Sequence, residues 1–489
     1  MERISPAFSV TPAPGGIVQP LKATARSVES PAEAVRLSQR LACECLARLE
    51  GPGINPVLRL FKLDESTQSH VRRLLERLVE VPQGGTAQWL ADWRSGRGFL
   101  DTLSCAYLEA LRTRAPDGVA KTAVHAELLA RLIRAGANLL KWDYLRYGPV
   151  ENELWVFMGA AYLEAERTGM SNMLVSLRKD RGTQTSVERE FIRAVALGCA
   201  SLDQLSPDSI EIADRLVRYV LPALRISTQP SSGACFGLQV GLPASPSRVA
   251  AGLTSREFQR YFLPAAVGGV FDELASVIER GLVPAAIATG PRARERVLAT
   301  LFHLRRLWSD TPPMRRYRRH ALSARFGSIC GLENLSACLV GDAPLWSERA
   351  EWMLCNVSRG GVGLLVPVED GSRVRIGELV GLRMEDGVAW QVGVIRRIAQ
   401  AAEGPAFVGV ELIARDPTVV LADDGRVASE VLLCDPIRQG RTVRLAGSAD
   451  ALPVNGIVYL NLDGRILKLK PIALMVRGND FVLRNYQLL

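Results

Sequence analysis

The chain has 489 residues, 48% of them hydrophobic and 23% charged, the composition of a globular protein too long for one ordinary core, so about two to four domains are expected. No apolar run reaches the roughly 18 residues needed to cross a bilayer. The start, MERISPAFSVTPAPGG, has no basic stretch followed by an apolar core, so neither a membrane span nor a signal peptide is expected and the cytoplasm is the expected location.

Charge and reactive residues narrow the reading further. The net charge of +9 is concentrated: between Arg292 and Arg325 stand ten arginines, no lysine and two acids, Glu295 and Asp310. An arginine-only cluster in an otherwise balanced chain points to a specific anionic ligand rather than to diffuse adhesion. Nine cysteines are scattered without a CxxC, which reads as reduced thiols in a reducing compartment. The four histidines, His70, His125, His303 and His320, are far apart in sequence, so a His-rich metal site is not expected and a Ser-His-Asp hydrolase has few bases to choose from.

In chain order, residues 1–28 are rich in Pro, Ala, Gly and Ser and lack periodicity; they read as a flexible tail. From 29 to 225 the pattern is helical, with segments at 31–48, 67–80, 96–113, 120–141, 151–168, 186–198 and 207–224 carrying apolar residues at three- and four-residue steps. Ser30 and Glu33 suit a capping box before the first, and Ser206-Pro207-Asp208 marks the start of the last. Residues 226–309 read as a mixed subdomain: a turn-rich stretch to 250 with room for one strand, then helices at 254–281 and 290–308. Asp310-Thr311-Pro312-Pro313 ends the helical texture and sets the main domain boundary.

Beyond it the texture is β. VGLLVP (362–367), ELVGLRM (378–384), AWQVGVIRRI (389–398) and AFVGVELI (406–413) are separated by turn signals such as Glu385-Asp386-Gly387, as in a closed antiparallel barrel or sandwich. Strands are also expected at 430–434, 442–447, 456–462, 465–472 and 481–487, as a second small β-rich subdomain over 426–489 or as extra strands on the first. The expected fold class is therefore α+β multidomain: a large, mainly helical N-terminal region, then an antiparallel β-barrel over 310–425, then further strands.

Two local patterns carry chemistry. Arg315-Arg316-Tyr317-Arg318-Arg319 follows the double proline and contains RxxxR. Asn356-Val357-Ser358-Arg359-Gly360-Gly361 fits [D/N]xSxxG. RxxxR also occurs at Arg36/Arg40, Arg73/Arg77 and Arg292/Arg296 in helical segments, where solvated arginines one turn apart are the ordinary reading. NxSxxG taken alone also describes a tight turn, with Asn and Ser bonding backbone and Gly supplying positive φ.

In this order, and followed by LVGLRMEDGVAWQVGVIRRI and FVGVELI with Trp390, Gly393, Val394, Arg396 and Gly409, the two patterns resemble the signature motifs of the PilZ family over roughly 110 residues. The resemblance implies a β-barrel that binds cyclic di-GMP. Arg315 and Arg319 would be ligands on a mobile arm, and Asn356, Ser358 and Gly361 ligands on the barrel. Arg316, Arg359 and Gly360 would complete the site, the first two as electrostatic support. The chemistry agrees: arginine pairs bidentately with guanine O6 and N7 and with phosphate, and stacks on a base plane. About 37 residues separate the two motifs, more than a minimal family member would hold. They include a helix or loop near 330–340, which is harmless to the site if 321–329 is the first barrel strand.

No GxxxxGK[ST], HExxH, GxSxG or clean GxGxxG is present, nor the GGDEF-, EAL- or HD-GYP-type motifs of enzymes that make or degrade the nucleotide, so a non-enzymatic, nucleotide-sensing effector without a catalytic cofactor or metal is expected. Its helical region, for which no family resemblance is recognised, would contact a protein target or oligomerise. Two other readings stand beside this one: a nucleic-acid-binding protein that uses the arginine cluster as a phosphate track, and a PilZ-like scaffold that has lost its ligand.

Overall fold

A computed structural model describes residues 30–47, 55–80, 87–113, 119–177, 184–231, 233–249, 259–312, 317–341, 350–367, 374–385, 387–401, 404–438, 440–462 and 464–489. The tail expected at 1–28, Arg315, Arg316, Asp386 and the start of the helix expected at 254–281 lie outside the described residues.

The N-terminal half is built from α1 (Pro31–Ala47), α2 (Asn55–Glu80), α3 (Ala87–Arg112), α4 (Val119–Leu145) and α5 (Glu153–Arg167). The short strands β1 (Val175–Ser176) and β2 (Gln184–Thr185) follow, then α6 (Val187–Gly198) and α7 (Pro207–Val220). The Ser30 hydroxyl accepts the Glu33 amide at 3.3 Å, as expected of the first cap. Helix α4 is the axis of the group and packs on α3, α5, α6 and α7. It is apolar on most of its surface, with Leu128, Leu132, Ile133, Leu139 and Trp142 buried, as a helix enclosed by others must be. A side chain at Gly96 would collide with Trp142, its Cβ falling 2.1 Å from the indole, so glycine is what lets α3 and α4 approach there. The one deeply buried guanidinium on α4, Arg131, is matched by Asp64, Glu65 and Glu127 at 2.7–2.8 Å, the pairing that a charge removed from water requires.

Residues 226–309 do not form a core of their own. A small sheet of β3 (Arg225–Ser227), β4 (Phe236–Leu238), β5 (Ser247–Arg248) and β6 (Arg260–Leu263), with α8 (Val267–Glu279) and α9 (Ala293–Leu307), packs into the same apolar cluster as α1–α7. Two expectations are corrected here. The turn-rich stretch holds three strands rather than one, and Arg260–Leu263 is a strand within the span expected to be helical.

Two six-stranded closed barrels follow. The first comprises β7 (His320–Cys330), β8 (Ala350–Ser358), β9 (Gly361–Val366), β10 (Leu379–Met384), β11 (Gln391–Ala399) and β12 (Ala406–Arg415), ordered β10-β11-β12-β9-β8-β7. Helix α10 (Leu332–Val340) lies between β7 and β8. The second comprises β13 (Thr418–Asp423), β14 (Ala428–Leu433), β15 (Thr442–Gly447), β16 (Val458–Leu462), β17 (Arg465–Arg477) and β18 (Val482–Leu488). The sheets therefore change at about residue 416, earlier than the boundary expected at 425, because β13 pairs with β14 and β16 and not with the first barrel. Among the described residues no helix is long and apolar enough to cross a membrane.

Apolar packing joins the two barrels. Leu335 of α10, Leu379, Val392 and Ile413 of the first and Leu432, Phe481 and Leu483 of the second form one buried cluster. The first barrel also meets the helical half: the Gln400 amide donates to the Tyr147 carbonyl at 2.8 Å, the Tyr147 side chain belongs to the barrel core, and Arg397 of β11 forms an ion pair with Asp203, in the short turn Leu202–Gln204 after α6.

Candidate functional site

Strand β7 is the first barrel strand and starts one residue after Arg319, and the long spacing between the motifs includes α10, which lies between β7 and β8. His320 pairs with Val357 and Ala321 with Asn356. That antiparallel register brings Arg319 to the end of β8 at which Ser358 stands. The strap and the polar turn thus lie at the same end of the same strand pair.

The strap is held at both ends. On the helical side the Asp310 carboxylate accepts the Ala234 amide at 2.7 Å. Arg248 donates to the Leu307 and Ser309 carbonyls at 2.7 and 2.6 Å, which closes the end of α9. On the barrel side the chain enters β7. Between these ends, Tyr317 lays its ring against Gly360, where an added Cβ would lie 3.2 Å from the ring. The Arg359 guanidinium stands 5.7 Å from the centre of the same ring, within the range of cation–π attraction.

Within NxSxxG the residues divide by task. The Ser358 hydroxyl donates to the Gly361 carbonyl at 3.1 Å, which is the turn-forming role. Ser358 pairs directly with Gly361, leaving Arg359 and Gly360 as the two-residue loop. Gly361 is required by packing: its Cβ would fall 2.4 Å from the Val410 carbonyl oxygen, so close approach here is to β12 of the barrel itself. Asn356 Oδ1 caps no backbone amide among the described residues. A register shift between Leu354 and Asn356 turns its side chain over Gly363, whose absent Cβ would meet the amide at 2.7 Å. Among the described residues its Oδ1 is buried without a hydrogen-bond partner. A buried, unpaired carboxamide oxygen costs about 1–3 kcal/mol.

Directly opposed residues of neighbouring strands point to the same face. Ala321, Asn356, Gly363, Gly409 and Arg397 therefore form one row across β7, β8, β9, β12 and β11. The row runs on the outer face, since Val362, Leu364, Val408 and Val410 fill the interior. Its middle is two glycines side by side, with the Phe407 ring 2.8 Å from where the Gly363 Cβ would be. The result is a shallow, flat floor with an amide at one end and an arginine at the other. In the adjacent row Glu411 opposes Gly361 and holds Arg396 at 2.8 Å.

Of the arginine cluster seen in the sequence, part is spent within the helical half. Arg292 pairs with Glu295 at 3.4 Å, Arg296 with Asp208 at 3.3 Å and Arg305 with Asp272 at 2.8 Å, while Arg294 donates to the Glu279 carbonyl at 2.7 Å. Of the described strap residues, Arg319 stands nearest the barrel turn along the chain, one residue before β7. Sequence reasoning missed Tyr317, Gly363, Phe407 and Arg397 as parts of this surface. Tyr317 had one signal, an aromatic set among four arginines. The other three declare themselves only through strand register.

Two family models match the chain. The one described as the N-terminal domain of the cyclic-di-GMP receptor FimW matches residues 23–231, and the one described as that receptor's middle PilZ domain matches residues 347–418. The first covers the helical region for which the sequence reading recognised no family. The second contains Asn356–Gly361 and strands β8–β12 and begins downstream of the strap. No curated protein matches the chain.

Proposed function

Because the chain belongs to the PilZ-containing cyclic di-GMP receptor family, we propose that it is an effector that binds cyclic di-GMP between the arginine strap and the outer face of the first barrel. The observation that carries this reading is the register that sets Arg319 at the Ser358 end of the β7–β8 pair, beside an Asn356 amide with an unanswered acceptor. A guanine edge offers N–H donors to that acceptor, and the glycine floor leaves room for a flat base. The guanidinium groups of Arg315, Arg319 and Arg359, with Arg316 as support, meet the two phosphates and the guanine O6 and N7. Ser358, Gly360 and Gly361 hold the turn in place.

Free, the strap arginines repel one another; bound, the phosphates cancel that repulsion and fix the strap on the barrel, a local ordering step. The strap is the covalent link between the helical half and the barrel, and Arg397 at the far end of the floor is the ionic link. Ligand seated between the two therefore acts on both connections and re-aims the helical half, whose surface then engages a protein target.

Calorimetry of the full chain with cyclic di-GMP tests the binding claim. Low-micromolar, saturable binding is expected, with a loss of about tenfold to a hundredfold in Arg319→Ala and in Asn356→Ala, the range for charge-assisted or otherwise unreplaced buried hydrogen bonds. Absence of binding by a folded sample defeats it. Small-angle scattering with and without ligand tests the re-aiming separately.

A further inference from the structure

The helical half carries a second polar cavity, far in sequence from the strap. It lies between α2, α4, α7 and the turn at Ala285–Ala286 and encloses about 450 Å³, a volume in the range of small-molecule sites. Five cationic side chains line it, Arg72, Arg134, Lys141, Arg215 and Arg218, against three acids, Glu76, Glu211 and Asp214, so the wall has an excess of two positive charges.

Two of the acids are already committed. Lys141 Nζ lies 2.8 Å from both Glu211 and Asp214. Asp214 also receives Arg193 at 2.7 Å and Arg218 at 3.4 Å, and Glu211 receives Arg215 at 2.8 Å. This network is buried, with Lys141, Arg193 and Asp214 between 1% and 6% exposed. Arg134, one turn before Asn138 on α4, reaches the same cavity with its Nε buried and, among the described residues, without a hydrogen-bond partner. A wall with an excess of positive charge and a buried, unanswered guanidinium donor is suited to an anion.

We propose that this cavity is a binding site for a small phosphate-bearing anion, held by Arg134 and Arg218 with Arg72 at its rim and separate from the cyclic di-GMP surface. Phosphate fits the excess of two charges and accepts from guanidinium forks bidentately. The apolar part of such a ligand would rest on Val71, Leu75 and Leu100.

The test is calorimetry of the full chain with inorganic pyrophosphate at fixed ionic strength, backed by the melting temperature. Saturable binding with one site is expected. It should weaken by about tenfold or more in Arg134→Gln and again in Arg218→Gln and persist when cyclic di-GMP is saturating. Binding that cyclic di-GMP abolishes, or that both variants retain unchanged, overturns the inference. So does an Arg134→Gln chain that melts higher than the parent when the parent shows no response to pyrophosphate, since the cluster is then a structural ion network alone.

Discussion

Asp203 of the helical half closes an ion pair on Arg397 of the first barrel, and Arg397 is the last residue of the row that begins beside the strap and passes through Asn356, Gly363 and Gly409. From Asn356 to Arg397 the row crosses three strand spacings, about 14 Å, so a ligand the size of a cyclic dinucleotide that rests on the glycines reaches toward the pair. Asp203→Asn removes the ionic tie while leaving the floor intact. Arg397 is half exposed, so the pair contributes only about 0.5–1 kcal/mol. If binding re-aims the halves, that amount returns as affinity, and cyclic di-GMP should bind about two- to fivefold more tightly in Asp203→Asn. Unchanged affinity, read by calorimetry beside the parent chain, breaks the link between ligand and domain geometry.

The glycines of the motif separate folding from binding. Gly363→Ala puts a methyl group onto the Asn356 amide and the Phe407 ring, both side chains that can move aside. It should lower ligand affinity by about tenfold at a stability cost of about 1 kcal/mol. Gly361→Ala meets the Val410 backbone carbonyl, which cannot move without shifting β12. It should cost about 1–3 kcal/mol of barrel stability and lower the melting temperature before it says anything about the ligand. Thermal melts and titrations of the two variants side by side distinguish these outcomes.

How much of this was legible depended on period and continuity. Helical and strand textures announced themselves wherever the apolar period was unbroken, as in 31–48 or 406–413. Strand β8 was not picked out because the shift between Leu354 and Asn356 breaks its alternation in the middle. RYFL at 260–263 is a short apolar run, which period alone assigns equally to helix or strand. The barrel boundary was misplaced because only Asp416 and Pro417 separate β12 from β13: the turn uses Asp416 at φ 53°, and no linker composition marks it. The motif residues were visible as a pattern, but the glycine floor and Arg397 exist only through cross-strand pairing, which no local window contains.

The joint between the barrels should respond to pH. Glu378 accepts the Arg375 amide at 3.0 Å, next to the contact where the Asn479 amide donates to the Gly377 carbonyl at 3.2 Å. Burial pushes the Glu378 carboxyl up to about 7, against a partial opposing pull from the Arg375 amide and guanidinium. A carboxyl whose folded value is raised favours the folded state while protonated. Its contribution is therefore full below the ordinary value near 4.5 and is lost as pH rises toward 7. Glu378→Gln should flatten that window and stabilise the chain at pH 8 by about 1–3 kcal/mol, as read from denaturant melts across pH. A parent chain whose stability does not fall over this interval, or a variant that leaves the slope intact, excludes Glu378 as the group responsible.

Leu335 tests whether the two barrels act as one unit. It is fully buried on α10 in the cluster shared by both barrels, and its Cδ1 occupies the place where a Cβ on Gly381 would lie, 2.4 Å away. Leu335→Ala opens a cavity at the junction and should cost about 2–5 kcal/mol. Because α10 joins two strands of the first barrel while its apolar face also meets the second, the loss should appear as earlier melting of both barrels together, followed by hydrogen exchange on β10 and β18. Cyclic di-GMP affinity at a temperature where the variant is folded should stay within about twofold, since the floor and strap lie on strands β7, β8, β9, β12 and β11 rather than on α10. If exchange rises on β10 alone while β18 keeps its protection, the barrels are energetically separate and the shared cluster is contact without coupling.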